Sequence, residues 1–369
     1  MDIINHMSVS IIEFLKEIKK VTHNRGCYLY GESVRDIINR QKPKIFNIFV
    51  KATPCDDIES LKNSLPVYKN IKYTIDSTFI IPDIFTVNML YLDVDDIIDG
   101  NINILSQQNG LRDFNKSSIK FTKEASENIK AEYLLDAIKL SVITGFHLDP
   151  KTITLIFNNR EKVTQLDKRE IYRFLVDSVK LRGTRKVISF LNTLGIANCL
   201  FGFKLTETSI VNHFNSLDVF EFFAVILSEV KYEDLKSILV EKCGFVERDT
   251  DHVLKLSKAM NEIVDETDVS ARKFLSTIEK KRIPNAVRLL KNLGYKNLAK
   301  IIKKEKAAPV ISSDFCIDER IIRAAFGIDN PEVVGKLLEM AHQKIIDEPA
   351  FNNQTKILTY LNYERKKYV

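Results

Sequence analysis

The chain has 369 residues, 45% hydrophobic and 28% charged. That is enough for two or three domains or one elongated multi-helix body, and too apolar for a disordered chain. A formal net charge of +6 and a pI near 8.8 suit a polyanionic partner without requiring one. Cys27, Cys55, Cys199, Cys243 and Cys316 lie far apart with no C-x-x-C pair, which argues against a zinc site or disulfide framework and for free thiols. Residues 1–6 carry neither the basic start and apolar stretch of a secretory signal nor the Arg-rich bias of a transit peptide. The apolar run 220–227 is interrupted by Glu221 and too short to span a bilayer, so a cytoplasmic address without membrane contact is expected.

In chain order, Ile11, Ile12, Leu15, Ile18 and Val21 have helical spacing over residues 9–21. Residues 27–30 read as a short strand that Gly31 ends, and residues 33–39 as a helix that stops before Pro43. Residues 45–50, β-branched and aromatic, read as a strand; residues 72–75 and 84–92 read as two more. The first 105 residues or so therefore form an α/β unit around a small sheet. From Thr122 onward almost only amphipathic helical patterns follow. They are broken at Gly145, Asp149-Pro150, Gly183, Gly195, Gly202, Gly244, Pro284, Gly294, Ala308-Pro309 and Pro331. The expected class is α+β, a compact α/β head followed by an elongated all-helical remainder.

Gly31-Glu32-Ser33-Val34-Arg35-Asp36 resembles the G-G-x-V-R-D opening of the class II tRNA nucleotidyltransferases (CCA-adding enzymes) and bacterial poly(A) polymerases. Residues 43–54, beginning Pro43-Lys44-Ile45-Phe46-Asn47-Ile48, are similar to that family's P-x-D-I-D-I-A-T-x-A-T-P. Phe85-Thr86-Val87-Asn88 is similar to the start of its F-T-I-N-A-L-A-Y strand, and Gly145-Phe146-His147-Leu148-Asp149-Pro150 to its L-G-F-x-L-D-P. Ile98-Asp99-Gly100, residues 110–114 and residues 325–338 add weaker likenesses in the same order. The resemblance implies a nucleotidyltransferase-type head at 1–115, a helical neck at 116–190, a body at 191–306 and a tail at 307–369.

In that family two strand aspartates hold the metal ions of nucleotidyl transfer, one ion lowering the pKa of the attacking hydroxyl and one steadying the pyrophosphate. Here those places read Ile45 and Asn47. Magnesium needs oxygen ligands, mainly carboxylates, so one alkyl group and one amide leave two dications with nothing to offset their repulsion. Other positions depart in the same direction. Glu32 replaces a phosphate-turn glycine, and the family's R-R-D falls on Pro82, Asp83 and Ile84. The neck-helix arginines fall on Tyr133, Asp136 and Lys139, and the base-reading E-D-x-x-R has no clean counterpart near residues 169–173. The expectation is a vestigial frame (Gly31, Glu32, Arg35, Asp36) around degenerate positions, with no intact catalytic residue and no metal site. Read plainly, Gly31 is a strand-ending glycine and Arg35-Asp36 a solvated pair. A rescue through Asp56, Asp57, Asp76 or Asp83 is the active alternative; Mg²⁺ and a nucleoside triphosphate are cofactors only under it. His6, His23, His147, His213, His252 and His342 show no ligand spacing.

Basic residues accumulate over 280–306: Lys280, Lys281, Arg282, Arg288, Lys291, Lys296, Lys300, Lys303, Lys304 and Lys306, with only Glu279 and Glu305 nearby in sequence. That density suits a phosphate backbone, although a lysine-rich helix is often only a solvated face. Lys180, Arg182, Arg185 and Lys186 form a smaller group. The reading is a non-catalytic member that binds structured RNA, such as tRNA, or assembles in a larger RNA-handling protein complex. Two alternatives are an active CCA-adding or poly(A)-type enzyme, and a structural subunit of an RNA-processing, transcription or ribosome-associated complex that binds protein only.

Overall fold

The computed structural model describes residues 9–22, 25–54, 56–181, 183–207, 218–261, 263, 265–278 and 280–365. Cys55, Arg182, Glu279, His6, His23 and His213 lie outside the described residues, as does the side chain of Lys281. Chain contacts divide the protein into two compact units, residues 1–166 with 193–199, and residues 167–192 with 200–369.

The first unit is built on strands β1 (Cys27–Tyr30), β2 (Phe46–Lys51), β3 (Ile71–Asp76), β4 (Leu90–Asp93) and β5 (Leu105–Ser106), in the order β3-β2-β1-β4-β5. Its helices are α1 (Val9–Thr22), α2 (Glu32–Ile38), α3 (Ile58–Ser64), α4 (Val94–Ile98), α5 (Gly110–Asn115), α6 (Lys123–Glu127), α7 (Ala131–Thr144) and α8 (Pro150–Asn159). β1 runs antiparallel to β2 and β4, whereas β2 and β3 are parallel. Alternation along these strands makes two different faces. Leu29, opposite Ile48 on one side and Leu92 on the other, belongs to a fully buried aliphatic face. The other face carries Tyr28 opposite Phe49, and Tyr30 opposite Asn47 and Tyr91.

Two sequence expectations are corrected. Residues 84–92 are not one strand: Phe85 makes a single bridge to Phe121, Thr86–Asn88 is a 3-10 turn, and only Leu90–Asp93 joins the sheet. The Asp83 carboxylate caps the Phe85 N–H and holds the Asn88 amide, which bends the chain before it can extend. The chain after Thr122 is also not purely helical, because β7 (His147–Leu148) pairs in parallel with β6 (Ser118–Ile119).

Helices α9 (Lys168–Val179), α10 (Thr184–Thr193), α11 (Ile196–Phe201), α12 (Val219–Ile226), α13 (Tyr232–Ser237), α14 (Glu247–Asn261), α15 (Asp268–Thr277), α16 (Ile283–Asn292), α17 (Lys296–Glu305), α18 (Glu319–Phe326), α19 (Pro331–Asp347) and α20 (Gln354–Glu364) follow. Several of their ends fall at the breaks named above, and Gly327 is a further one. Gly327 closes α18 in the left-handed conformation, and Pro284 and Pro331 stand at helix starts, where a missing N–H costs nothing. Asp167 and Asp218 head α9 and α12 in capping boxes with Glu170 and Glu221. Among the described residues no helix is long and apolar enough to cross a membrane. Cys27, Cys199, Cys243 and Cys316 are free thiols.

Candidate functional site

Gly31 leaves β1 at φ +77°, ψ −142°, a conformation that side-chain-bearing residues rarely adopt. Its N–H donates to the Leu90 carbonyl at 2.9 Å, which locks the turn to β4. α2 starts at once, with Glu32 exposed in its first turn. Arg35, 4% exposed, donates to Asp36 Oδ1 from Nε (2.9 Å) and Nη2 (2.6 Å), and from Nη1 to Asn88 Oδ1 at 2.8 Å. The Asn88 amide nitrogen in turn donates to both oxygens of Asp83 at 3.1 Å. Burial pushes the Asp83 carboxyl up to about 6, against the opposing pull of the Phe85 and Asn88 donors. The Val-Arg-Asp and Phe-Thr-Val-Asn segments are thus one buried polar network, not a solvated pair.

Asn47 stands on the tyrosine face of β2, half-buried, with its amide nitrogen where a Cβ on Gly31 would meet it at 3.6 Å. Ile45 lies at a bend before β2 and is half-buried. Neither suits a pair of divalent ions: an alkyl chain coordinates nothing and a neutral amide offers one weak oxygen. Beyond Asn47 the same face is aromatic. Phe49 (1% exposed) packs with Tyr30, Ile81 and Met89, flanked by Tyr28, Phe79 and Tyr91. Phe79 comes from the connection between β3 and β4. Its ring stacks on Tyr28 at 4.4 Å and meets Phe49 at 4.7 Å and Tyr91 at 4.8 Å. Gln107 pins that connection, donating from Nε2 to the Phe79 carbonyl (2.9 Å) and accepting from the Ile81 N–H (3.2 Å).

The other aspartates considered as ligands are engaged elsewhere. Asp56 pairs with Arg25 at 2.5 Å, and these hydrogen bonds hold it well below the usual carboxylate range. Asp57 caps α3 through the Glu59 N–H, and Asp76 accepts from the Thr78 N–H. Among the described residues no three His, Cys, Asp or Glu side chains come together as a metal-binding group.

The basic run has more acidic neighbours than its sequence surroundings suggest. Lys280 pairs with Asp314 (2.9 Å), and Lys304 lies 3.4 Å from Asp268 and 3.8 Å from Glu305. Arg282 lies 3.7 Å from Asp218 with its guanidinium over the Phe220 ring, and Arg288 reaches Glu221 at 3.3 Å. Glu221 is fully buried; burial, then repulsion from Asp218, pushes its carboxyl up to about 7. Lys291, Lys296, Lys300, Lys303 and Lys306 are exposed and have no ion-pair partner among the described residues. In the smaller group, Lys180, Arg185 and Lys186 are exposed, with the Lys186 ammonium over the Phe190 ring at 5.5 Å.

No family model matches the chain, and no curated protein matches it. Solved structures do. The chain is similar to the Bacillus stearothermophilus CCA-adding enzyme in complex with CTP (TM-score 0.67, 15% identity), covering 98% of this chain and 100% of that one. It is similar to the Thermotoga maritima CCA-adding enzyme complexed with tRNA (TM-score 0.64, 14% identity).

 For that structure the match takes in 98% of this chain and 97% of the other. A structure described as a tRNA-processing enzyme, apo form I, matches with TM-score 0.61 and 14% identity, over 93% of this chain and 99% of that one. The chain has the fold of the CCA-adding enzymes.

Within the CCA-adding enzyme fold, the residues that sequence reasoning missed are Phe79 and Gln107, whereas Asn88 was picked out only as part of a motif likeness, without its bridging role. Phe79 had a local signal: the run Phe79-Ile80-Ile81 ahead of Pro82 is too apolar for a solvated loop. Gln107 had none, because its partners Phe79 and Ile81 lie far from it in the chain.

Proposed function

We propose that this protein is a CCA-adding-enzyme-like chain that binds structured RNA, such as tRNA, and does not add nucleotides to it. The head at 1–115 keeps the frame of a nucleotidyl-transfer site without its metal chemistry, and the helical neck, body and tail carry the RNA contact. One observation carries the non-catalytic half: the sheet face around Asn47 is packed with Phe49, Phe79, Tyr28 and Tyr91 in place of a carboxylate group. A hydrophobic wall there offers nothing to two dications and a triphosphate.

The RNA half rests on the five uncompensated lysines of α16, α17 and the residue that follows α17, and on the tRNA complex recorded for the Thermotoga enzyme. Electrophoretic retardation of tRNA over graded salt tests it. Neutralising about three to five phosphates should give a log–log salt slope of roughly −3 to −4.5. No retardation at low salt would contradict RNA binding and favour a partner made of protein.

A further inference from the structure

α16 and α17, joined through Gly294 at φ +94°, border a cavity of about 570 Å³. Ile283 and Val287 supply apolar lining; Arg288, Lys291, Lys303 and Lys306 supply charge. The volume lies within the range of roughly 300–1,000 Å³ usual for small-ligand sites.

Two observations set this groove apart from an ordinary lysine-rich face. Its ammonium groups are uncompensated, because Glu305 is drawn to Arg272 at 2.9 Å and no described carboxylate pairs with Lys291, Lys303 or Lys306. Like charges around one concavity repel each other, and a bound anion relieves that repulsion. Arg288 is also only partly used: it reaches Glu221, yet its Nε is buried without a partner and its side chain remains 42% exposed. Lys291 and Lys303 stand in last helical turns, where a cation also balances the helix dipole. Lys306 lies past the end of α17, so the dipole does not account for all three.

We propose that this groove seats one unstacked nucleotide of a bound RNA, with its phosphate among Lys291, Lys303 and Lys306 and its base against Ile283 and Val287. The inference rests on the RNA-binding reading above. A paired helix offers phosphates but turns its bases inward, whereas an unpaired nucleotide offers both a charge and a flat apolar face. A free nucleoside monophosphate has the same chemistry, so the test must separate the two sources.

The test is fluorescence anisotropy of the full chain with labelled hexauridylate, a duplex of the same length, and CMP as competitor. Hexauridylate should bind several-fold tighter than the duplex. Ile283→Ala should weaken it on the order of tenfold with an unchanged salt slope, by removing base contact alone. Lys291→Glu with Lys303→Glu should weaken it further and lower the slope by about 0.7, the share of one single-strand phosphate. CMP binding tighter than hexauridylate would make free nucleotide the occupant and overturn the proposal. If tRNA is retarded but the groove variants bind like the wild type, the groove is not the seat and the RNA-binding reading stands. If the wild-type chain binds neither tRNA nor hexauridylate at low salt, both fall.

Discussion

Phe79 stacks on Tyr28 with planes 19° from parallel and ring centroids 4.4 Å apart. The contact joins the connection before β4 to the centre of the sheet, on the face where Asn47 stands. Phe79→Ala should cost about 2–3 kcal/mol, less than the ~3–5 of a fully buried phenylalanine because Phe79 is half-buried. Urea unfolding midpoints measure this. With Phe79 in place, Ile45→Asp combined with Asn47→Asp should still give no magnesium-dependent nucleotide incorporation.

The Arg35–Asn88–Asp83 chain makes a second prediction. Asn88→Ala takes an acceptor from a buried guanidinium and the amide donors from a half-buried carboxylate. Removing one partner from such a network should destabilise the protein by about 2–3 kcal/mol. A denaturation midpoint unchanged from wild type would show the network to be slack.

Glu221 ties stability to pH. Its folded-state value of about 7 lies above the ordinary 4.5, so the folded protein holds this proton more tightly than the unfolded chain does. The resulting stabilisation is complete below 4.5, declines as pH rises, and is lost above about 7. Glu221→Gln ends the titration while keeping an oxygen for the Asp218 N–H. The variant should match wild type near the acidic end of that window and exceed it at alkaline pH by up to ~3 kcal/mol. Unfolding curves across pH would reveal the divergence, and parallel curves would rule it out.

Two glycines separate backbone strain from collision. Gly202, at φ +85°, has open space around a would-be Cβ, so Gly202→Ala should cost only about 1–2 kcal/mol. Gly244, at φ +70°, would place its Cβ 2.6 Å from the Lys168 carbonyl oxygen. Gly244→Ala should therefore cost distinctly more, and comparing the two melting temperatures checks the ordering.

Much of this was legible from local signals. Apolar spacing marked α1, glycines and prolines marked helix ends, and the Gly31 and Val34-Arg35-Asp36 frame marked the turn into α2. The short elements α3, α4, β5 and α5 were not recognised, because two to seven residues carry too little periodicity to read. The Phe85-Thr86-Val87-Asn88 segment misled because β-branched and aromatic residues signal extension, whereas the bend comes from the Asp83 side chain two residues upstream, a local cap that outweighs that propensity. The basic run misled for a different reason. Asp218, Glu221, Asp268 and Asp314 are distant in sequence, yet they neutralise part of it. Local pattern gives elements, and only tertiary contact tells which charges stay free.

The central claim meets its most direct test in nucleotide incorporation. The purified chain, Mg²⁺, labelled CTP or ATP and a tRNA lacking its 3′ end should yield no extension above background, while the same preparation retards that tRNA at low salt. Robust magnesium-dependent extension would contradict the account, because an aromatic wall around Asn47 could not then be the whole of the site.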